Sequence, residues 1–294
     1  MLIAVNVNDD LLDGLSKALF IVSQIRKSDD STILLDFQGT KFVSPLFISV
    51  LLVTLRETDK EVSLINLPDY LKVICFSDGL RPDSIRSSEF FAVMESFSRK
   101  KFIPIIDFPV TVIDEDVKNS VLSTVENIII RQLHIEKNVS EGLKYFISEL
   151  VDNITEHSES KRAYIFAQAF PKKGYLDLCI SDNGITLLGS YKRSEKYNEI
   201  DSDVEAMKAA NMKISAKNLP DAENRGYGIY TSKNALIDGL DGSFLMVSGN
   251  AVYVKSRNGY RLAAFPEFVR LNGTIIALRI PDQNPNFMMS KYWE

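Results

Sequence analysis

Glu149 and Asn153 stand four residues apart in a stretch with helical periodicity, so a carboxylate and a carboxamide project from one face. That pair suits metal-nucleotide chemistry. An amide oxygen can ligate Mg²⁺, which takes few protein ligands alongside phosphate and water, and a carboxylate can accept a proton from a nucleophile. Solvated helix faces carry Glu-x-x-x-Asn often, so the pair gains meaning only from its company. Asp182-Asn183-Gly184 closes an apolar run. There an acid can accept a hydrogen bond from the exocyclic amine of adenine, and the glycine lets a base lie close; a plain turn has the same sequence. Arg225-Gly226-Tyr227-Gly228 opens a helical pattern, where N–H groups unhindered by Cβ atoms can surround phosphate oxygens. Asn272-Gly273-Thr274 begins the last apolar run and offers a hydroxyl beside closely packed backbone, or simply a hairpin entry.

These residues need elements to hold them. Apolar runs at Leu2–Val7, Ile33–Phe37 and Val62–Asn66 read as strands. Helical spacing lies between them at Leu11–Ile25 and Pro45–Leu55, with a further helix at Leu67–Phe76. This alternation predicts a small α/β layer ending between Phe76 and Phe97, with polar residues 77–88 and the basic 99–101 as linker, so the domains are set at 1–98 and 99–294. The second unit opens with Phe102–Val110, an edge strand because of Pro104 and Pro109. A helix follows over Asp114–Leu133. Ser140 is read as the cap of the next helix, whose apolar stripe includes Val139, Leu143, Phe146, Ile147, Leu150, Val151 and Ile154. Strands at Arg162–Phe170 and Tyr175–Ile180 flank the turn Pro171–Gly174. Residues 187–224 are polar and read as a mobile flap with one helix near 201–214. A helix from Gly226 and strands near 243–247, 251–256 and 274–280 complete the chain, giving an α/β (α+β) fold class.

Composition narrows the partners. At 294 residues the chain has room for a substantial core, and 45% hydrophobic with 25% charged residues excludes disorder. A net charge of −5 lacks the positive field that duplex binding draws on, so nucleic acid is not expected as a partner. No apolar stretch approaches the roughly 20 residues of a membrane span, and the acids in the first ten residues oppose a signal peptide. Two cysteines, Cys75 and Cys179, read as buried thiols in a reducing compartment, and the cytoplasm is expected.

The order of these signals is more specific than any one of them. With ELVDNITEHS at 149–158 and NRGYGIYTSKN at 224–234, the span from Phe102 to Pro281 resembles the GHKL ATP-binding family, most of all the anti-sigma-factor serine kinases. That resemblance implies a Bergerat-type α/β sandwich, a mixed sheet covered on one face by helices, with ATP and Mg²⁺ as cofactors. It implies Glu149 as catalytic base, Asn153 as magnesium ligand, Asp182 as the adenine-reading carboxylate and Gly184 as the glycine beside the base. Gly226 and Gly228 match the phosphate loop and Thr274 the hydroxyl near the base. Lys217 and Arg225 could reach phosphates, though a solvated role suits them better. His157 stands where several of these kinases carry a basic residue; its first reading is a helix-end histidine. Neither His134 nor His157 lies in the phosphoacceptor pattern of a sensor histidine kinase, which argues against histidine autophosphorylation.

ILLDFQGTKFVSPLFISVLLVTLR at 33–56 resembles a STAS domain, the fold of anti-sigma-factor antagonists. The acceptor serine position falls on Leu46, and Ser44 reads as a helix cap before Pro45. Transfer to the chain's own first domain is therefore not expected, and that domain can serve as a docking surface. Two functions follow. One is a kinase or ATPase that controls a regulatory protein partner, a STAS or sigma-factor-like protein. The other is an ATP-gated interaction module with slow or no turnover. Related ATP-binding domains often pair, so a homodimer is within the expectation.

Overall fold

The computed structural model describes residues 1–5, 11–111, 114–133, 135–194, 197, 199–212 and 228–292. The first part of the chain folds as β1 (Leu2–Ala4), α1 (Leu11–Lys27), β2 (Thr32–Asp36), α2 (Pro45–Glu57), β3 (Glu61–Ile65) and α3 (Asp69–Val73). The strands form a parallel sheet in the order β1-β2-β3, with Leu34 paired to Leu2 and to Ser63. On β2 the alternation of Ile33 and Leu35 inward with Thr32 and Leu34 outward leaves one face toward the helices.

Helix α2 is apolar almost all round, the pattern of a helix with no solvent face. Every residue from Pro45 to Thr54 is buried. Ser44 caps it by accepting the Phe47 N–H at 3.3 Å, with Pro45 in the first turn, as expected. Ser44 is itself buried and close-packed against Gly14 of α1.

Short helix α4 (Ser87–Glu95) leads to the second sheet, built from β4 (Ile106–Pro109), β5 (Arg162–Phe170), β6 (Tyr175–Asp182), β7 (Ser243–Gly249), β8 (Ala251–Ser256), β9 (Gly259–Ala264) and β10 (Leu271–Pro281). Their order is β4-β5-β6-β10-β7-β8-β9. Among the described residues all six of its ladders are antiparallel, so the sheet is not the mixed one expected, and within it only the isolated bridge Leu80–Ile106 runs parallel. The short turn at 171–174, with Gly174 at φ 72°, joins β5 and β6 directly, which forces the antiparallel sense.

Helices α5 (Glu115–Leu133) and α6 (Lys137–His157) pack on one face of this sheet. The opposite face is covered as well. Alternate residues of β5 and β6 turn toward the first part of the chain: Cys179 hydrogen-bonds with Ser49 of α2, Gln168 accepts from the Tyr70 hydroxyl, and Phe170 packs edge-on against Phe42. Helix α2 thus lies against α1 and against β5, β6 and β10. One apolar core runs from Ile3 to Met289 across both sheets.

Several local readings change. Between the two expected linker stretches, 77–88 and 99–101, lies most of α4, whose Phe90 and Met94 are buried; its polar opening at Ser87 and Ser88 hides the helix from pattern reading. Helix α6 starts at Lys137, and Ser140 lies inside it, donating to the Lys137 carbonyl at 2.7 Å, rather than capping it. Strand β9 was not anticipated, because an exposed edge carries no apolar alternation. Cys179 is buried, whereas Cys75 is only half-buried. Among the described residues no helix is long and apolar enough to cross a membrane.

Residues 187–212 depart from the flap reading. They hold α7 (Leu187–Ser194) and α8 (Asp203–Ala210), which share a small core of Tyr191, Ile200, Ala206, Ala209 and Ala210. Ser202 caps α8 by accepting the Glu205 N–H while the Glu205 carboxylate accepts the Ser202 N–H, a reciprocal capping box. The remainder of the predicted flap, 213–224, lies outside the described residues.

Candidate functional site

A cavity of about 270 Å³ opens between α6, α7, the start of α9 (Gly228–Asn234) and the ends of β6, β7 and β10. Ligand pockets begin at about that size. Its walls bring together Glu149 and Asn153 from α6, Asp182 from β6, Gly228 from α9 and Thr274 from β10. Arg225, Gly226 and Lys217 fall outside the described residues, as does His134.

The helical repeat puts Asn153 one turn beyond Glu149, at the border of the stripe that α6 buries with Phe146, Leu150 and Ile154. The Asn153 amide nitrogen donates to the Glu149 carbonyl at 2.6 Å. With the nitrogen tied to the helix, the carboxamide oxygen is the atom left for a cation. Tyr145, a turn earlier, hydrogen-bonds to the Glu149 carboxylate; burial, and then that charge, push its phenol up to about 12.

Gly228 stands directly opposite. A Cβ there would lie 2.1 Å from Glu149 Oε2, so the helix can approach the carboxylate only at a glycine. The expected result of Gly228→Ala is a displaced Glu149 carboxylate. A crystal structure of the variant should show that displacement while the circular dichroism spectrum and melting temperature stay close to wild type. An unmoved carboxylate would show that Gly228 does not set its position.

Asp182 ends β6, almost fully buried. Burial pushes its carboxyl up from 3.8 to about 7; the N–H groups of Gly184, at 2.8 Å to Oδ1, and Thr274, at 3.2 Å to Oδ2, pull the other way, and the nearby Glu57 carboxylate raises it further. Each oxygen accepts one backbone N–H and keeps lone-pair capacity for a ligand donor. Gly184 does not line the cavity. A Cβ on it would meet the Ser158 carbonyl at 2.0 Å, so this glycine serves the close packing of the β6 end on the end of α6.

Thr274 is held for acceptance. Ser248 Oγ donates to the Gly273 carbonyl at 2.8 Å and lies 3.1 Å from Thr274 Oγ1, so the threonine proton goes to Ser248 and its lone pairs stay available. Ile180, Ile276 and Met246 supply apolar walls, and His157 lines the rim with Nε2 3.9 Å from Glu156 Oε2.

The sequence reading missed α7. Its Ser190 and Tyr191 line the cavity, and Ser190 Oγ is buried with no hydrogen-bond partner among the described residues. A signal existed in the helical spacing of Leu187, Leu188 and Tyr191, masked by the polar residues around it.

Comparison of the chain with protein-family models, with curated proteins and with solved structures returns no match.

Proposed function

We propose that the cavity binds an adenine nucleotide with Mg²⁺, and that the chain is a nucleotide-dependent regulator of a protein partner, of the GHKL anti-sigma-kinase type. One observation carries the reading: residues from four separate elements, selected for nucleotide chemistry by type and order, line a single cavity. The base half of the ligand finds a buried carboxylate, a hydroxyl with free acceptor capacity and apolar walls, a set that suits a flat heterocycle bearing an exocyclic amine.

Asn153 would hold Mg²⁺, which supplies charge neutralisation on the phosphates when bound. Among the described residues there is no cluster of three or more acidic, histidine or cysteine side chains that could cage a metal, so phosphate and water would complete the shell. Glu149, oriented by Tyr145 and crowded against Gly228, takes the proton from the attacking hydroxyl of a partner serine or from water. The α6 helix sets the base and the metal ligand one turn apart, and the α7–α8 pair excludes water from the side of the base.

A second reading, an ATP-gated binding module, is favoured by the buried Ser44 and the buried run Pro45–Thr54 of α2. They leave the chain's own first unit with no accessible acceptor at the position where antagonists carry one.

Incubation with γ-labelled ATP and Mg²⁺, alone and with a cell lysate, separates the two. Label on a protein serine identifies a kinase; free phosphate alone identifies the gated module. Asn153→Ala should abolish the magnesium dependence of ATP affinity. Glu149→Ala should bind normally and lose turnover by about 10²–10⁴-fold. The reverse pattern would refute the role assignment, and calorimetry with no heat on ATP addition would refute the proposal itself.

A further inference from the structure

The back of the candidate site is made by the first unit. Strand β10 begins with an irregular register between Leu271 and Thr274, so Asn272 and Gly273 bulge out of the ladder. The front of this bulge serves the cavity: the Thr274 N–H donates to Asp182, and the Gly273 N–H donates to the Gly184 carbonyl at 2.7 Å. Behind it sits Glu57, the last residue of α2, with the Asn272 N–H beside its carboxylate. Glu57 is largely enclosed, its side chain 10% exposed, and its Oε1 is buried without a hydrogen-bond partner among the described residues.

Arg26, in the last turn of α1, closes the arrangement. One arm of its guanidinium donates to the Arg270 carbonyl and the other reaches Glu57 Oε2 at 3.3 Å. The Arg270 side chain continues inward, 2.7 Å from the buried Asp203 carboxylate at the start of α8 and 3.3 Å from Thr186 Oγ1 on the cavity wall. Residues 270–274 are thus held from outside by α1 and α2, while on the inside they set Asp182, Thr274, Thr186 and the base of α8.

We infer that Arg26 and Glu57 form a clamp through which the N-terminal unit sets the nucleotide affinity of the cleft. Both are positioning residues acting through the 270–274 bulge, and a protein that engages the first unit would change nucleotide affinity by loosening or tightening them. The inference rests on the proposed nucleotide site. Fixed geometry at the bulge matters because the Asp182 carboxylate and the Thr274 hydroxyl must meet the same ligand edge, and an interaction of this kind fails with small displacements. Arginine is suited to the position because its planar fork spans two acceptors at once, which an ammonium cannot do.

The test is titration of Mg-ADP into the full chain by calorimetry. Wild type, Glu57→Gln, Arg26→Lys and the double variant are compared, with Lys17→Gln, elsewhere on α1, as a control. Binding to Arg26→Lys should weaken about tenfold, the control should not change, and the double variant should show much less than the product of the single losses.

A pH series separates positioning from general damage. The charged groups facing Glu57 are Arg26 from α1 and Asp182 from β6; burial raises Glu57 itself to about 7, so it titrates alongside Asp182, and His157 lines the same cavity. Removing the Glu57 charge should move the midpoint of the affinity profile to lower pH, because Asp182 then loses a like-charged neighbour. A variant that merely disturbs packing would lose affinity equally at every pH. Should wild type bind no Mg-ADP, the nucleotide site itself is refuted. Should wild type bind while both single variants match it in affinity and pH midpoint, the clamp is refuted and the site stands. If Glu57→Gln does not fold, the profile of Arg26→Lys decides: no loss of affinity overturns the clamp.

Discussion

Asp182→Asn is expected to weaken adenine-nucleotide binding by about 10- to 100-fold, since a hydrogen bond to a charged acceptor contributes about 1.5–3 kcal/mol. The carboxamide is the same size, but its nitrogen would meet one of the two N–H groups, of Gly184 and Thr274, that now point at the carboxylate. The wild-type protein should also show two opposed pH dependences. A ligand amine needs the charged carboxylate, so affinity should fall about tenfold per unit as pH drops below 7.

Stability without nucleotide should run the other way. The folded carboxyl titrates near 7 against an ordinary 3.8, so its stabilising contribution is complete below 3.8 and is lost as pH rises through 7. A shift of that size corresponds to about 4 kcal/mol. Calorimetric titrations between about pH 5.5 and 8, with melting curves on the free protein, read both effects. A flat affinity profile would mean that Asp182 does not contact the ligand.

Phe47→Ala is the substitution expected to cost the most stability, about 3–5 kcal/mol, the range for truncating a fully buried phenylalanine. That is a large share of the ~5–15 kcal/mol that holds a typical protein folded. Phe47 sits on the side of α2 toward α1, close to where Gly14 passes, and the same helix lies on β5, β6 and β10. Loss at this position should therefore lower the midpoint of one cooperative denaturant transition, observed equally by far-ultraviolet circular dichroism and by the fluorescence of a nucleotide analogue in the cleft. Two separated transitions would show that α2 does not couple the two sheets.

The chemistry of the candidate site was legible where it rested on local spacing. Glu149 and Asn153 share a helix face because 3.6 residues make a turn, and Asp182 ends a strand because apolar alternation stops there. Ser44 and Pro45 announced the start of α2 through cap chemistry alone. Within residues 187–212 the helix near 201–214 was legible and is α8, whereas α7 was not, because polar residues surround the helical spacing of Leu187, Leu188 and Tyr191. Gly184 was read for its freedom to admit a base, yet its neighbour is the Ser158 carbonyl, a contact between segments that no local pattern encodes.

Taken alone, the sequence determined which side chains could do chemistry, the helices and most strands that carry them, and the α/β class of the fold, since all of these follow from short-range periodicity and backbone preference. Only the tertiary structure decided that α2 of the first unit covers the outer face of the second sheet and that Arg26 and Glu57 stand behind the bulge next to Asp182. Those placements join residues more than a hundred positions apart. They follow from packing and from the cost of burying unpaired polar groups, which depend on the whole fold at once.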